Sequence, residues 1–151
     1  MELLIVSSKI EKFDLLVAKL LADLYKKFPQ ATGISASAYG IQAEEMFRFD
    51  GTIDKDIAHE LDFFCNTLRW LKRHGYIDYS TEYDSGTFMS VAITTKALEV
   101  LKGTPESLNT SKSLGDDIVD SARSGATDAL KQGVTAALSA GVVMAWNALT
   151  K

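Results

Sequence analysis

Residues 54–75, DKDIAHELDFFCNTLRWLKRHG, constrain the fold more than any other stretch of the chain. Ile57, Leu61, Phe64, Leu68 and Leu71 recur every three or four positions. At about 100° per residue they fall within roughly 80° of arc on one helical face. Asp54 stands where an N-cap is wanted, and Gly75 stands just past the end. The spacing therefore predicts one helix reaching to about His74. Phe63 and Trp70 do not share its stripe; they lie roughly 120–140° to one side, with His59 on their border. A helix with two apolar flanks buries both or exposes one. In the first case another part of the chain covers the second flank. In the second, His59, Phe63 and Trp70 form a partner surface.

After this helix the apolar period changes from 3.6 to 2. Ile77, Tyr79, Thr81 and Tyr83 alternate with polar residues, Asp84-Ser85-Gly86 is a turn signal, and Phe88 to Ile93 is a second β-prone run. Together they predict a hairpin. Thr94 or Thr95 then caps a short helix with Leu98 and Leu101 inward and Gly103 after its end. Upstream, Ser8-Lys9-Ile10-Glu11 has the form of a capping box. Behind it Ile10, Phe13, Val17, Leu20, Leu21, Leu24 and Phe28 keep helical spacing as far as Pro29. Met1 to Val6 reads as a strand or an extra turn. Residues 30–43 read as a loop with room for a short strand, Glu44 to Phe47 as a short helix, and Phe49-Asp50-Gly51 as a turn. The expected fold class is mainly α with a small β-hairpin.

The order of long helix, hairpin and short helix, carried by Leu71, Gly75, Tyr76 and Ile77 and then by Ile93, Thr94 and Lys96, resembles the winged-helix domain of bacterial regulators of the MarR-like and PadR-like kind. The likeness spans about residues 9–103; Ala97 stands where the family phrase often has glycine. It implies a winged helix-turn-helix-like domain over 1–103. The run TPESLNTSKS, 104–113, reads by its composition as a linker, and residues 114–151 as a C-terminal helix. The likeness also implies that a DNA-binding transcriptional regulator is one available function.

Charge argues against that function. Net charge is −4 and the pI near 5.1, so there is no general attraction to polyanions. Between Glu44 and Asp62 stand seven acids (Glu44, Glu45, Asp50, Asp54, Asp56, Glu60, Asp62) against Arg48 and Lys55. DNA affinity comes largely from Lys and Arg displacing counterions, and this helix is the one that would enter the groove. Only Arg69, Lys72 and Arg73, at its far end, are candidate phosphate contacts. Catalysis has no better support. Cys65 and His59 sit six apart on one helix, in directions about 120° apart. His59 and His74 lack the companions a metal site needs. No phosphate loop follows a strand. The expectation is a non-enzymatic protein with no cofactor and no metal. A lone cysteine, read as a small buried hydrophobe, and no basic leading segment point to a reducing cytoplasm.

The last segment poses a separate question. Gly125, Ala129, Gly133, Ala137, Gly141 and Ala145 stand four apart. From Gly133 to Leu149 no residue is charged. Apart from glycines nothing breaks a helix from Leu114 or Gly115 to Leu149, and Asp116, Asp117 and Asp120 suit its first turns. Small residues let helix backbones approach closely. Three readings stand open: packing on the chain's own domain, self-association as a homo-oligomer with a dimer favoured, or membrane insertion through 133–149. The functional expectation is a regulatory or adaptor protein acting through protein contacts and through self-association along Gly125–Ala145. A DNA-binding regulator is the alternative and a membrane-acting effector the third reading.

Overall fold

Two sequence pieces, one from each end of the chain, build a helical unit, and the segment between them builds another around a small sheet. The computed structural model describes the backbone of residues 8–103 and 113–150, with side chains for 9–103 and 113–143. The fold is mainly α with a small antiparallel sheet, as the sequence predicts. The Met1–Val6 run and the linker over 104–112 lie outside the described residues, as does the side chain of Ala145.

The first unit comprises Met1–Phe28 and Ile93–Lys151. Its central element is α1 (Ser8–Lys27), which packs against two helices from the end of the chain, Leu114–Ser124 and Thr127–Thr150. Val17, Ala18, Leu20, Leu21, Ala22 and Leu24 are all buried, so the middle turns are covered over more than half the helix circumference. Ile10 and Phe28, part of the predicted stripe, are exposed at its two ends instead. A short helix, Thr95–Lys102, packs on the same two late helices. Its N-cap is Thr94, whose hydroxyl oxygen accepts from the Ala97 amide at 3.2 Å. Leu101, Leu114, Ile118, Leu130 and Val134 complete the core. Each such side chain contributes about 1.5–3 kcal/mol on full burial.

The second unit is Pro29–Ala92. It holds β1 (Thr32–Ser35), two 3-10 turns (Ala36–Tyr39 and Ala43–Met46), α2 (Lys55–Arg73), β2 (Ile77–Asp78), β3 (Thr81–Tyr83) and β4 (Thr87–Ile93), whose final residue is counted with the helices. The elements after β4 are α3 (Thr95–Lys102), α4 (Leu114–Ser124) and α5 (Thr127–Thr150). β4 is central: β1 pairs antiparallel along one side, and β2 and β3 are its neighbours along the other. The predicted hairpin is therefore one part of a larger sheet, its first strand interrupted at Tyr79-Ser80. The turn is the expected one. Gly86 has φ +82°, and a Cβ there would lie 2.6 Å from Leu61 Cδ1, so backbone and packing both require glycine. Ser90, at φ 58°, sits in β4 where the pairing to β1 shifts register by one residue, the mark of a bulge.

Two sequence expectations are corrected. The chain does not divide at residue 103, because α1 and α3 need α4 and α5 as their packing partners. The last segment is also not one continuous helix. Ser113 caps α4, its hydroxyl oxygen accepting from the Asp116 amide at 3.1 Å. α4 then stops at Gly125, which takes the left-handed conformation (φ +76°), and the amides of Gly125 and Ala126 both donate to the Ser121 carbonyl. That geometry closes a helix end, and α5 starts afresh.

Candidate functional site

α2 has the caps read from its sequence. The Asp54 carboxylate accepts from the amides of Asp56 (3.0 Å) and Ile57 (3.2 Å). These bonds, the Ile57 amide first and Arg48 next, hold its carboxyl below the usual range. Leu61, Phe64, Leu68 and Leu71 are buried, while Ile57 is only half-buried. Cys65 is buried as well, and burial pushes its thiol up, away from the reactive thiolate.

Two of the three candidate phosphate contacts, Arg69 and Lys72, are already engaged. Arg69 forms a forked pair with Glu82 of β3, through Nη2 at 2.9 Å and Nε at 3.1 Å, and also donates to Asn66. The Glu82 carboxylate holds the Arg69 guanidinium above its usual range. Lys72 donates to the Tyr79 carbonyl at 2.9 Å, lies 3.6 Å from Asp78 and stands 4.3 Å above the Tyr79 ring. Arg73 is exposed. The basic end of α2 is thus largely neutralised by carboxylates of the following strands.

The second flank of α2 is partly covered from nearby. Trp70 stacks on Tyr76, with planes 6° apart and centroids 6.1 Å apart, and lies 4.2 Å from the His74 ring. Trp70 and Phe63 are half-buried, whereas His59 is exposed. The three do not form one open apolar surface.

A different surface does stand open, and it precedes α2. Phe47 and Ile53 bridge across a small loop, FRFDGTI, in which the Arg48 amide donates to the Thr52 carbonyl at 3.0 Å. Asp50 takes both the amide (2.9 Å) and the hydroxyl (2.6 Å) of Thr52. Those bonds, the hydroxyl first, lower its carboxyl. Arg48 pairs with Asp54 at 3.2 Å, and the Asp54 amide donates to Met46 at 2.8 Å. The loop is thus pinned at both ends, yet it presents Phe47 (68% exposed), Ile53 (51%) and a fully exposed Phe49 to solvent. Phe47 also lines a cleft of about 390 Å³ with Ile41, Ala43, Met46 and Leu61, and Glu44 and Asp84 are part of the same lining. The short helix expected over Glu44–Phe47 is present as the 3-10 turn Ala43–Met46, and Phe49-Asp50-Gly51 is the expected turn; what the sequence spacing does not reveal is that the aromatic side chains there stay exposed. The signal present was the pair Phe47 and Phe49 beside a turn, where aromatic side chains are uncommon.

The small-residue stripe does not make a single face. Gly125 is the end cap of α4 and exposed, Ala129 is half-buried, and Gly133, Ala137 and Gly141 are buried. A Cβ on Gly133 would lie 2.8 Å from Ile118 Cγ1 of α4, so here the close approach is made within the chain. Among the described residues no helix is long and apolar enough to cross a membrane. No group of three or more His, Cys, Asp or Glu among them could hold a metal ion. The chain matches no family model, no curated protein and no solved structure.

Proposed function

We propose that this chain is a non-enzymatic protein-binding module of the regulatory or adaptor kind, and that it docks its partner through the loop from Phe47 to Ile53. The observation that carries the reading is a pinned loop that leaves two phenylalanines and an isoleucine in water. Exposed apolar side chains on ordered backbone bind with little loss of loop entropy, and aromatic residues dominate binding energy at such surfaces. The reading does not use the stripe as a dimer seam, because Gly133 and Ala137 are spent on internal packing. DNA binding loses support from the Arg69–Glu82 and Lys72–Asp78 pairs.

The test is quantitative capture with full-length bait, wild type beside Phe49→Ser and Arg69→Ala. The expected result is a protein retained by wild type and Arg69→Ala and lost at least about tenfold with Phe49→Ser, the size of a hot-spot effect. Capture indifferent to Phe49 would reject the docking surface. A salt-dependent shift of duplex DNA that Arg69→Ala abolishes would favour the regulator reading instead.

A further inference from the structure

The charges around this surface indicate what kind of partner it takes. The cleft is lined by apolar Ile41, Ala43, Met46, Phe47 and Leu61, by four hydroxyl side chains and by two carboxylates, Glu44 and Asp84; no basic residue lines it. The apolar area continues from Phe47 to its bridge partner Ile53, with Phe49 at the tip of the loop between them. Glu45 stands beside Glu44 on the same 3-10 turn, Asp50 lies at the tip, where it closes the loop through Thr52, and Asp56 lies in the first turn of α2. Of the two bases nearby, Arg48 is tied to Asp54, which leaves Lys55 as the opposing charge in the first turn of α2.

We infer that the cleft and the Phe47–Ile53 loop together dock a basic amphipathic segment of a partner protein, one with apolar anchors on one side and lysine or arginine beside them. This rests on the protein-binding reading above and adds the partner's chemistry. Apolar anchors fill the cleft and cover Phe49, while the flanking cations meet Glu44, Glu45 and Asp84. Such complementarity steers encounter and rejects acidic segments. An anionic lipid surface is the poorer fit, since the same carboxylates repel it. A small ligand is also a poorer fit, because it fills the cleft but leaves Phe49 and Ile53 uncovered.

The experiment is fluorescence anisotropy on the full chain with two labelled synthetic peptides of leucine in helical register, one filled out with lysine and the other with glutamate. The lysine peptide is expected to bind at least about tenfold more tightly than the glutamate peptide. Phe49→Ser and the double change Glu44→Lys with Glu45→Lys are each expected to weaken it about tenfold or more. All three positions are exposed, so circular dichroism should be unchanged in both variants. Equal binding by the variants, or equal binding of the two peptides, overturns the inference. Absent peptide binding alongside Phe49-dependent capture of a protein overturns the basic-segment assignment and leaves the protein-binding reading standing. Phe49-dependent sedimentation with phosphatidylcholine vesicles, without peptide binding, overturns it in favour of a lipid surface.

Discussion

Asp54 does three things at one position: it caps α2, pairs with Arg48, and through its amide fixes the end of the exposed loop. Its folded pKa lies below the ordinary value of 3.8. The stability it supplies is therefore fully present above that value and is lost as pH falls through the lower, folded one. Asn is an equally good cap but does not titrate. Asp54→Asn should consequently show a shallower fall in melting temperature than wild type between about pH 5 and pH 2. A slope identical to wild type would mean that other carboxylates govern acid unfolding. The cap and the α2 stripe were readable in advance because both depend on spacing along one helix. The occupation of Arg69 and Lys72 was not, since Glu82 and Asp78 reach them only after the chain has turned back. Nor was the exposure of Phe49, because hydrophobicity alone predicts burial and says nothing of where a loop ends.

The joins between helices depend on glycines whose neighbours are distant in sequence. Gly115 lies under Tyr25, where a Cβ would come within 2.6 Å of the ring. The Tyr25 hydroxyl lies 3.3 Å from that of Ser113, so the ring cannot swing away without giving up that contact. Gly115→Ala is expected to cost about 1–3 kcal/mol by overpacking, more than the up to ~1 kcal/mol alanine gains in helix propensity; a rise in melting temperature would contradict this. Gly133→Leu is expected to destabilise the helical unit through Ile118 and to leave the oligomeric state, read by light scattering, as in wild type. A change of assembly with unchanged melting would restore the stripe as an association surface. The four-residue spacing was visible in the sequence. What the sequence could not say was whether a neighbouring helix belonged to the same chain, and Gly125 was counted into the stripe although its left-handed backbone ends α4.

At the scale of the whole molecule, the helical unit is split in sequence by the 29–92 segment. A chain ending at Thr104 keeps α1 and α3 but removes α4 and α5, the two helices that α1 packs against. It is expected to aggregate on size exclusion; a stable monomer would mean that α1 does not need its late partners. The change of apolar period near residue 75 gave away the fold class. The pairing of the two ends left no local trace, because every helix involved is amphipathic or small-faced and fits many partners. The same arrangement has a consequence during synthesis. α1 is complete roughly 90 residues before α4 begins. At about 5–20 residues per second on the ribosome, its leucine face stays without its native cover for at least roughly 5–18 seconds. Holding chaperones thus have a defined window in which to act on each nascent chain.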